Sequence, residues 1–181
     1  MEISNPLIQE DRNTLLMLAR ESIQLAALRK PLPLLNLKHY TPHLQENGAS
    51  FVTLTLASNG RLRGCIGTLE AHQPLVLDVQ EHAAAAAVED YRFQPVRPEE
   101  VTLLKIEISR LTAPQNLDYA NPHELPGLLR PGVDGVILRD GSRRATFLPQ
   151  VWEQLPDVEE FLAHLCQKMD AASNLWQKKR L

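Results

Sequence analysis

Apolar residues recur every three or four positions between Asn13 and Leu28, where Leu15, Leu18, Ala19, Ile23 and Ala26 share a stripe with Ser22. That spacing predicts a helix with one buried face. Pro31 and Pro33 end it, and a loop runs through Thr41-Pro42 to Glu46-Asn47-Gly48. The period then drops to two: Phe51 to Leu56, FVTLTL, alternates apolar residues with threonines and predicts a half-buried strand. Ser58-Asn59-Gly60 is a hairpin signal, and Arg61 to Ile66 forms the return strand. Pro74 to Glu89 predicts a second helix. Proline suits the first turn, and the alanines from Ala83 to Ala87 combine high helix propensity with a flat packing surface.

Asp90 and Pro95 bracket the exit of that helix, and Val101 to Leu111 alternates again, with Leu104, Ile106 and Ile108 on one face of a strand. Pro114 to Pro131 is turn-rich, with room for a short helix near His123 to Leu128. A second hairpin joins Gly135 to Leu138 with Arg143 to Leu148 through Asp140-Gly141. The last helix has Asp157 as its cap, Glu160 at capping-box spacing, and an apolar stripe of Val158, Phe161, Leu162, Leu165 and Met169. Helices interspersed with hairpins, without the strand–helix–strand rhythm of a parallel sheet, predict an α+β fold with a mostly antiparallel sheet flanked by helices. No linker or low-complexity segment is evident, so residues 1–181 are expected to form one domain, at most with two interleaved lobes.

Composition narrows the function classes. No apolar run approaches the length of a membrane span, and the N-terminus lacks the basic-then-apolar order of a secretory signal. Two cysteines about a hundred positions apart offer no disulfide framework, so a cytoplasmic, reducing setting is expected. The formal net charge is −3, the basic residues are scattered apart from Arg143-Arg144 and Lys178-Lys179-Arg180, and aromatics make up only 5%. Nucleic-acid binding needs a basic stripe or stacking platforms, and neither is present. No phosphate loop, dinucleotide fingerprint, nucleophile elbow or zinc pair occurs, so no cofactor or metal is implied.

The candidate chemistry centres on Leu62 to Thr68, LRGCIGT. A thiol there sits between two glycines and two residues from a guanidinium, at the end of a hairpin strand. Glycines serve where another group approaches closely, and a nearby Arg favours thiolate. Cys65 therefore reads either as a presented nucleophile or as a compact core residue, since free cysteine is commonly buried. A nucleophile would need a base in space from His72, His82 or a carboxylate such as Glu107. His72 and His82 lie ten apart, too far for ordinary metal spacing, and His82 is expected on the exposed side of its helix. Cys166 falls on an apolar stripe and is expected in the core. Three further runs carry candidate binding residues: Asp90-Tyr91-Arg92-Phe93, Pro131 to Gly135 with Asp134, and RATFLPQV with Arg144 and Thr146. Each also has a bland reading, as a capped helix end, a loop entering a strand, and a cap for the next helix.

Taken together, LRGCIGT, the helix ending in Asp90 with Arg92-Phe93, LRPGVDGV and TFLPQVWEQLPDVEEFLAHLC resemble the AMMECR-type family, over roughly Leu15 to Trp176. The resemblance implies an α+β fold with a larger and a smaller lobe and a groove beside the Arg-Gly-Cys-Ile-Gly run. It makes Cys65 the catalytic candidate, with Arg63, Gly64, Gly67, Arg92, Asp134, Arg144 and Thr146 as binding candidates. Prokaryotic members are often encoded beside a Memo-like protein and a radical SAM protein. The expected function is thus an accessory or binding component of that AmmeMemoRadiSam modification system, with an unknown peptide or small molecule in the groove. The alternative is an enzyme using Cys65 as nucleophile or as acyl or sulfur acceptor. Relatives usually continue past the position of Trp176 into another strand. A homodimer or a docked partner across the edge so left is the corresponding expectation.

Overall fold

A computed structural model describes residues 7–181, which fall into two units that follow one another in sequence, divided between Pro114 and Gln115. In the first, helix α1 (Gln9–Ala27) begins four residues before the apolar stripe. Its first turn carries Glu10 and Asp11, which suit the positive end of a helix. Asp11 is fully buried and accepts a 2.6 Å hydrogen bond from Thr41 Oγ1, so a polar residue continues the buried face. A short helix α2 (Pro42–Gln45) leads into strand β1 (Asn47–Leu56). This strand is also longer than the alternation predicts, because Asn47 and Gly48 pair with the two-residue strand β3 (Gln73–Pro74).

Strand β2 (Leu62–Gly67), helix α3 (Leu75–Val88) and strand β4 (Leu104–Leu111) complete this unit. The strand expected from Val101 starts three residues later. Pro98 opens a 3₁₀ turn, Pro98–Leu103, and Glu100 accepts a 2.8 Å bond from the Arg97 N–H, holding those residues out of the ladder. β1 is the central strand, antiparallel to β2 on one side and to β4 on the other. Val52, Leu54, Ile66, Leu104, Ile106 and Ile108 belong to the core that α1 and α3 complete with Leu15, Ile23, Val76 and Val79. Phe51, Thr53 and Thr55 alternate onto the opposite face.

The second unit has its own core. It contains helix α4 (Leu125–Leu128), the hairpin of β5 (Val136–Asp140) and β6 (Arg143–Phe147), helix α5 (Val158–Lys168) and helix α6 (Leu175–Lys178). Gly141 takes φ +61° in the hairpin turn, the left-handed region that glycine adopts without strain. Asp157 caps α5 by accepting from the Glu160 N–H at 2.9 Å. The Trp152 ring stacks on Phe161 with centroids 3.7 Å apart, and Cys166 is fully buried beside them, as its stripe position predicts. The fold is α+β, with antiparallel sheets and flanking helices. No helix among the described residues is long and apolar enough to cross a membrane.

Candidate functional site around Cys65

The two glycines of LRGCIGT are explained by close packing. A Cβ on Gly64 would stand 2.1 Å from the Ala86 carbonyl oxygen of α3, and one on Gly67 would stand 2.3 Å from the Ser50 oxygen and 2.4 Å from the Phe51 ring. At Gly64, β2 therefore lies against α3 at a depth that only glycine allows, while Gly67, opposite Phe51, shares the other face with Cys65.

On that face Cys65 is half-buried and stands opposite Thr53, with Sγ 3.4 Å from Thr53 Oγ1. Thr53 stands opposite Glu107 on its other side. A thiol, a hydroxyl and a carboxylate thus form a row across β2, β1 and β4, on the face turned away from α1 and α3. The row is visible only once the register is known.

The backbone of Cys65 is held as tightly as its side chain. Its N–H donates to Asp90 Oδ2 at 2.8 Å, and its carbonyl accepts from Arg92 Nη2 at 3.3 Å. Both groups point out of the free edge of β2, so Asp90 and Arg92 close that edge where a neighbouring strand would. The two side chains are themselves joined by bonds of 2.9 and 2.7 Å. The Arg92 guanidinium, aided by the N–H groups of Cys65 and Arg92, holds the Asp90 carboxyl at about 2, below its ordinary 3.8, while Asp90 raises Arg92 in turn. The sequence offers Arg92 of the run Asp90 to Phe93 as a binding candidate but not Asp90. Its spacing of two from Arg92 was the available signal.

Arg63 serves a different segment. Its guanidinium donates to the carbonyls of Gln94 at 2.8 Å and Pro95 at 3.3 Å, and pairs with Glu100 at 3.3 Å. The Arg97 N–H and the Arg63 guanidinium lower the Glu100 carboxyl in that order of strength. Arg63 is thus a clamp on residues 94–100.

His82 is not on the exposed side of its helix. Its side chain is only 13% exposed, and Nδ1 lies 3.1 Å from Asp78 Oδ2, which also accepts a 2.6 Å bond from the buried Ser50 hydroxyl. Ser50 shares its sheet face with Val52, so this cluster lies on the helix side of the sheet and Cys65 on the other. His72 remains exposed, 3.6 Å from Glu70. Among the described residues no group of three His, Cys, Asp or Glu could hold a metal ion.

The remaining candidates belong to the second unit. Asp134 takes a fork of bonds from Arg130, whose guanidinium lowers its carboxyl, and the Asp134 carbonyl accepts from Trp152 Nε1 at 2.7 Å. Arg144 stands opposite Arg139 on β6, and Thr146 opposite Ile137. The Thr146 hydroxyl is buried without a hydrogen-bond partner, and its carbonyl accepts from Lys168 Nζ at 2.9 Å. Two cavities stand out. One of about 430 Å³ lies between Pro131, Trp152 and Pro156, and one of about 800 Å³ lies between the ends of α1 and α3. Neither is lined by Cys65.

The chain is thus an α+β protein with a thiol set in a glycine-flanked edge strand and an Asp-x-Arg lock on its backbone. The AMMECR1 family model matches residues 16–181, and the chain belongs to that family. A protein of Methanothermobacter thermautotrophicus is 45% identical over 65% of the chain and 62% of its own length. One of Sulfolobus acidocaldarius is 37% identical over 92% of the chain and 74% of its own length. The chain thus spans a little under two thirds of the first relative and about three quarters of the second. The crystal structure of an uncharacterised protein from Pyrococcus horikoshii superposes with a TM-score of 0.85 at 35% identity, covering 94% of this chain and 85% of that one.

Proposed function

We propose that this AMMECR1-family chain is an accessory or binding component of a modification system, and that the face carrying Cys65 receives a peptide or a partner protein. The supporting observation is the set of groups around the thiol. Sγ contacts the neutral hydroxyl of Thr53, and Arg92, which lies within electrostatic reach of Cys65, is bound by Asp90 at 2.9 and 2.7 Å, while Arg63 is engaged with Gln94, Pro95 and Glu100, and His82 with Asp78 on the other face. A working nucleophile needs a base or cation at the sulfur. The Asp90–Arg92 lock instead fixes the backbone of Cys65, as a rigid recognition surface requires. The Memo-like and radical SAM proteins suggested by the family resemblance are the partners proposed.

A second reading draws on the Cys65–Thr53–Glu107 row, in which Glu107 would reach the thiol through the threonine hydroxyl. It makes Cys65 a nucleophile or acyl or sulfur acceptor. The rate of iodoacetamide alkylation at neutral pH separates the two, with fully buried Cys166 as the inert internal reference. The binding reading expects Cys65 to react no faster than free cysteine, and Cys65→Ser to keep partner co-sedimentation intact. Alkylation at least about tenfold faster than free cysteine, the mark of an activated thiolate, would favour catalysis.

A further inference from the structure

The cavity of about 800 Å³ lies within the first unit and shares no lining residue with the Cys65 row. Its floor is made of small or half-buried apolar residues, Ala26, Ala27, Leu32, Ala84 and Val88, and one wall is the segment Gln94–Pro98. That wall is built in place. Arg63 holds the carbonyls of Gln94 and Pro95, the Val96 N–H donates to Ala87 at 2.8 Å, and Glu100 accepts from the Arg97 N–H. An open groove with a preformed wall and small side chains along its floor lets an extended backbone approach closely.

The rim carries charge of the opposite sign to the chain. The net charge of the protein is −3, yet Arg29, Lys30 and Arg97 line the groove against a single acid, Glu89. Arg97 is paired with Glu99 and Glu100. The exposed side chains of Arg29 and Lys30 make no hydrogen bond or ion pair with any described residue. They follow the end of α1, where such cations commonly cap the last carbonyls, but here only their backbone N–H groups do so, to Ala26 and Leu25 at 2.9 Å each. Arg29 occupies the position after the helix that glycine usually fills, with φ +56°. A side chain in this left-handed position is strained relative to glycine.

We infer that this groove docks an acidic segment of a partner protein, with carboxylates on Arg29 and Lys30 and an apolar side chain against Leu32 and Val88. The charge of the rim selects the sign of the occupant, and the apolar floor selects a side chain between its acids. The inference stands whether or not Cys65 proves reactive, because the groove and the thiol share no lining residue.

The test uses the full chain, isotope-labelled, titrated with the peptide DLEELD and, separately, with KLKKLK of matched length. The expected result is amide shifts centred on Ala26, Ala27, Ala84 and Val88 with the acidic peptide only. Glu89→Gln tightens binding, and Arg29→Gly weakens it on the order of tenfold, the loss of one charge-assisted contact. Arg29→Gly should at the same time hold or raise the melting temperature, because glycine relaxes the left-handed position. A residue present only for stability would do the reverse. No shifts at about 1 mM peptide, an affinity too weak to count as recognition, would overturn the inference. So would an unchanged affinity in Arg29→Gly, or equal shifts from inorganic phosphate, which would make the groove a simple anion site.

Discussion

Gly64 and Asp90 act on the same cysteine by different physics, one through volume and the other through charge. An alanine at position 64 would put its Cβ 2.1 Å from the Ala86 carbonyl, a backbone atom that cannot swing aside. Gly64→Ala should therefore destabilise by about 1–3 kcal/mol through overpacking, read as a lower urea midpoint. Gly127→Ala, with nothing within 4 Å and no left-handed φ, should be neutral or mildly stabilising. Asp90 gives a pH signature. Its folded carboxyl lies at about 2, below its ordinary 3.8, so its contribution is present above the unfolded value and disappears as pH falls toward 2. The loss is about 2 kcal/mol across that window. Asp90→Asn should be less stable than the parent at neutral pH and should converge with it near pH 2. A constant difference across the window would show that Asp90 is not ionised against Arg92.

At the scale of elements, the edge of β2 is closed by side chains where most sheets use another strand. The amide of Cys65 should consequently exchange slowly while Asp90 accepts from it, and Asp90→Ala should speed that exchange by at least about tenfold, the equivalent of one lost hydrogen bond, while amides in the middle of β1 stay protected. Equal acceleration across β1 and β2 would mean the sheet as a whole had loosened. This lock also marks where sequence reasoning stopped. Periodicity placed α1, α3, α5 and both hairpins, because their stripes and turn residues are local. It put the starts of α1 and β1 too late and that of β4 too early, because Asp11 is a polar residue on a buried face, the Gly48–Gln73 pairing joins residues distant in sequence, and the 3₁₀ turn that Pro98 opens and Glu100 caps occupies the start of an alternating run. The site followed the same division. Cys65 and its glycines were legible as a motif, whereas the Thr53–Cys65–Glu107 row depends on register, and the placement of His82 against Asp78 and Ser50 on a buried carboxylate that no apolar pattern reveals.

Across the whole molecule, each unit has a separate core, with Ile23, Leu54, Val76 and Val79 in one and Trp152, Phe161, Leu165 and Trp176 in the other. The chain has only two tryptophans, and both are buried in the second. The long helices α1 and α3, of 19 and 14 residues, are both in the first, against 11 residues for α5 in the second. Tryptophan fluorescence therefore reports the second core, and far-UV circular dichroism mainly the first. Two separate cores predict that the probes can be displaced from one another. Leu165 is fully buried in the second core, so Leu165→Ala should cost about 2–5 kcal/mol there and lower the fluorescence midpoint in urea more than the dichroism midpoint. Gly64→Ala, in the first unit, should lower the dichroism midpoint more. Both variants would have to shift the two probes equally for the units to unfold as one. In that case stability at Cys65 would be set as much by Phe161 and Trp152 as by its own sheet.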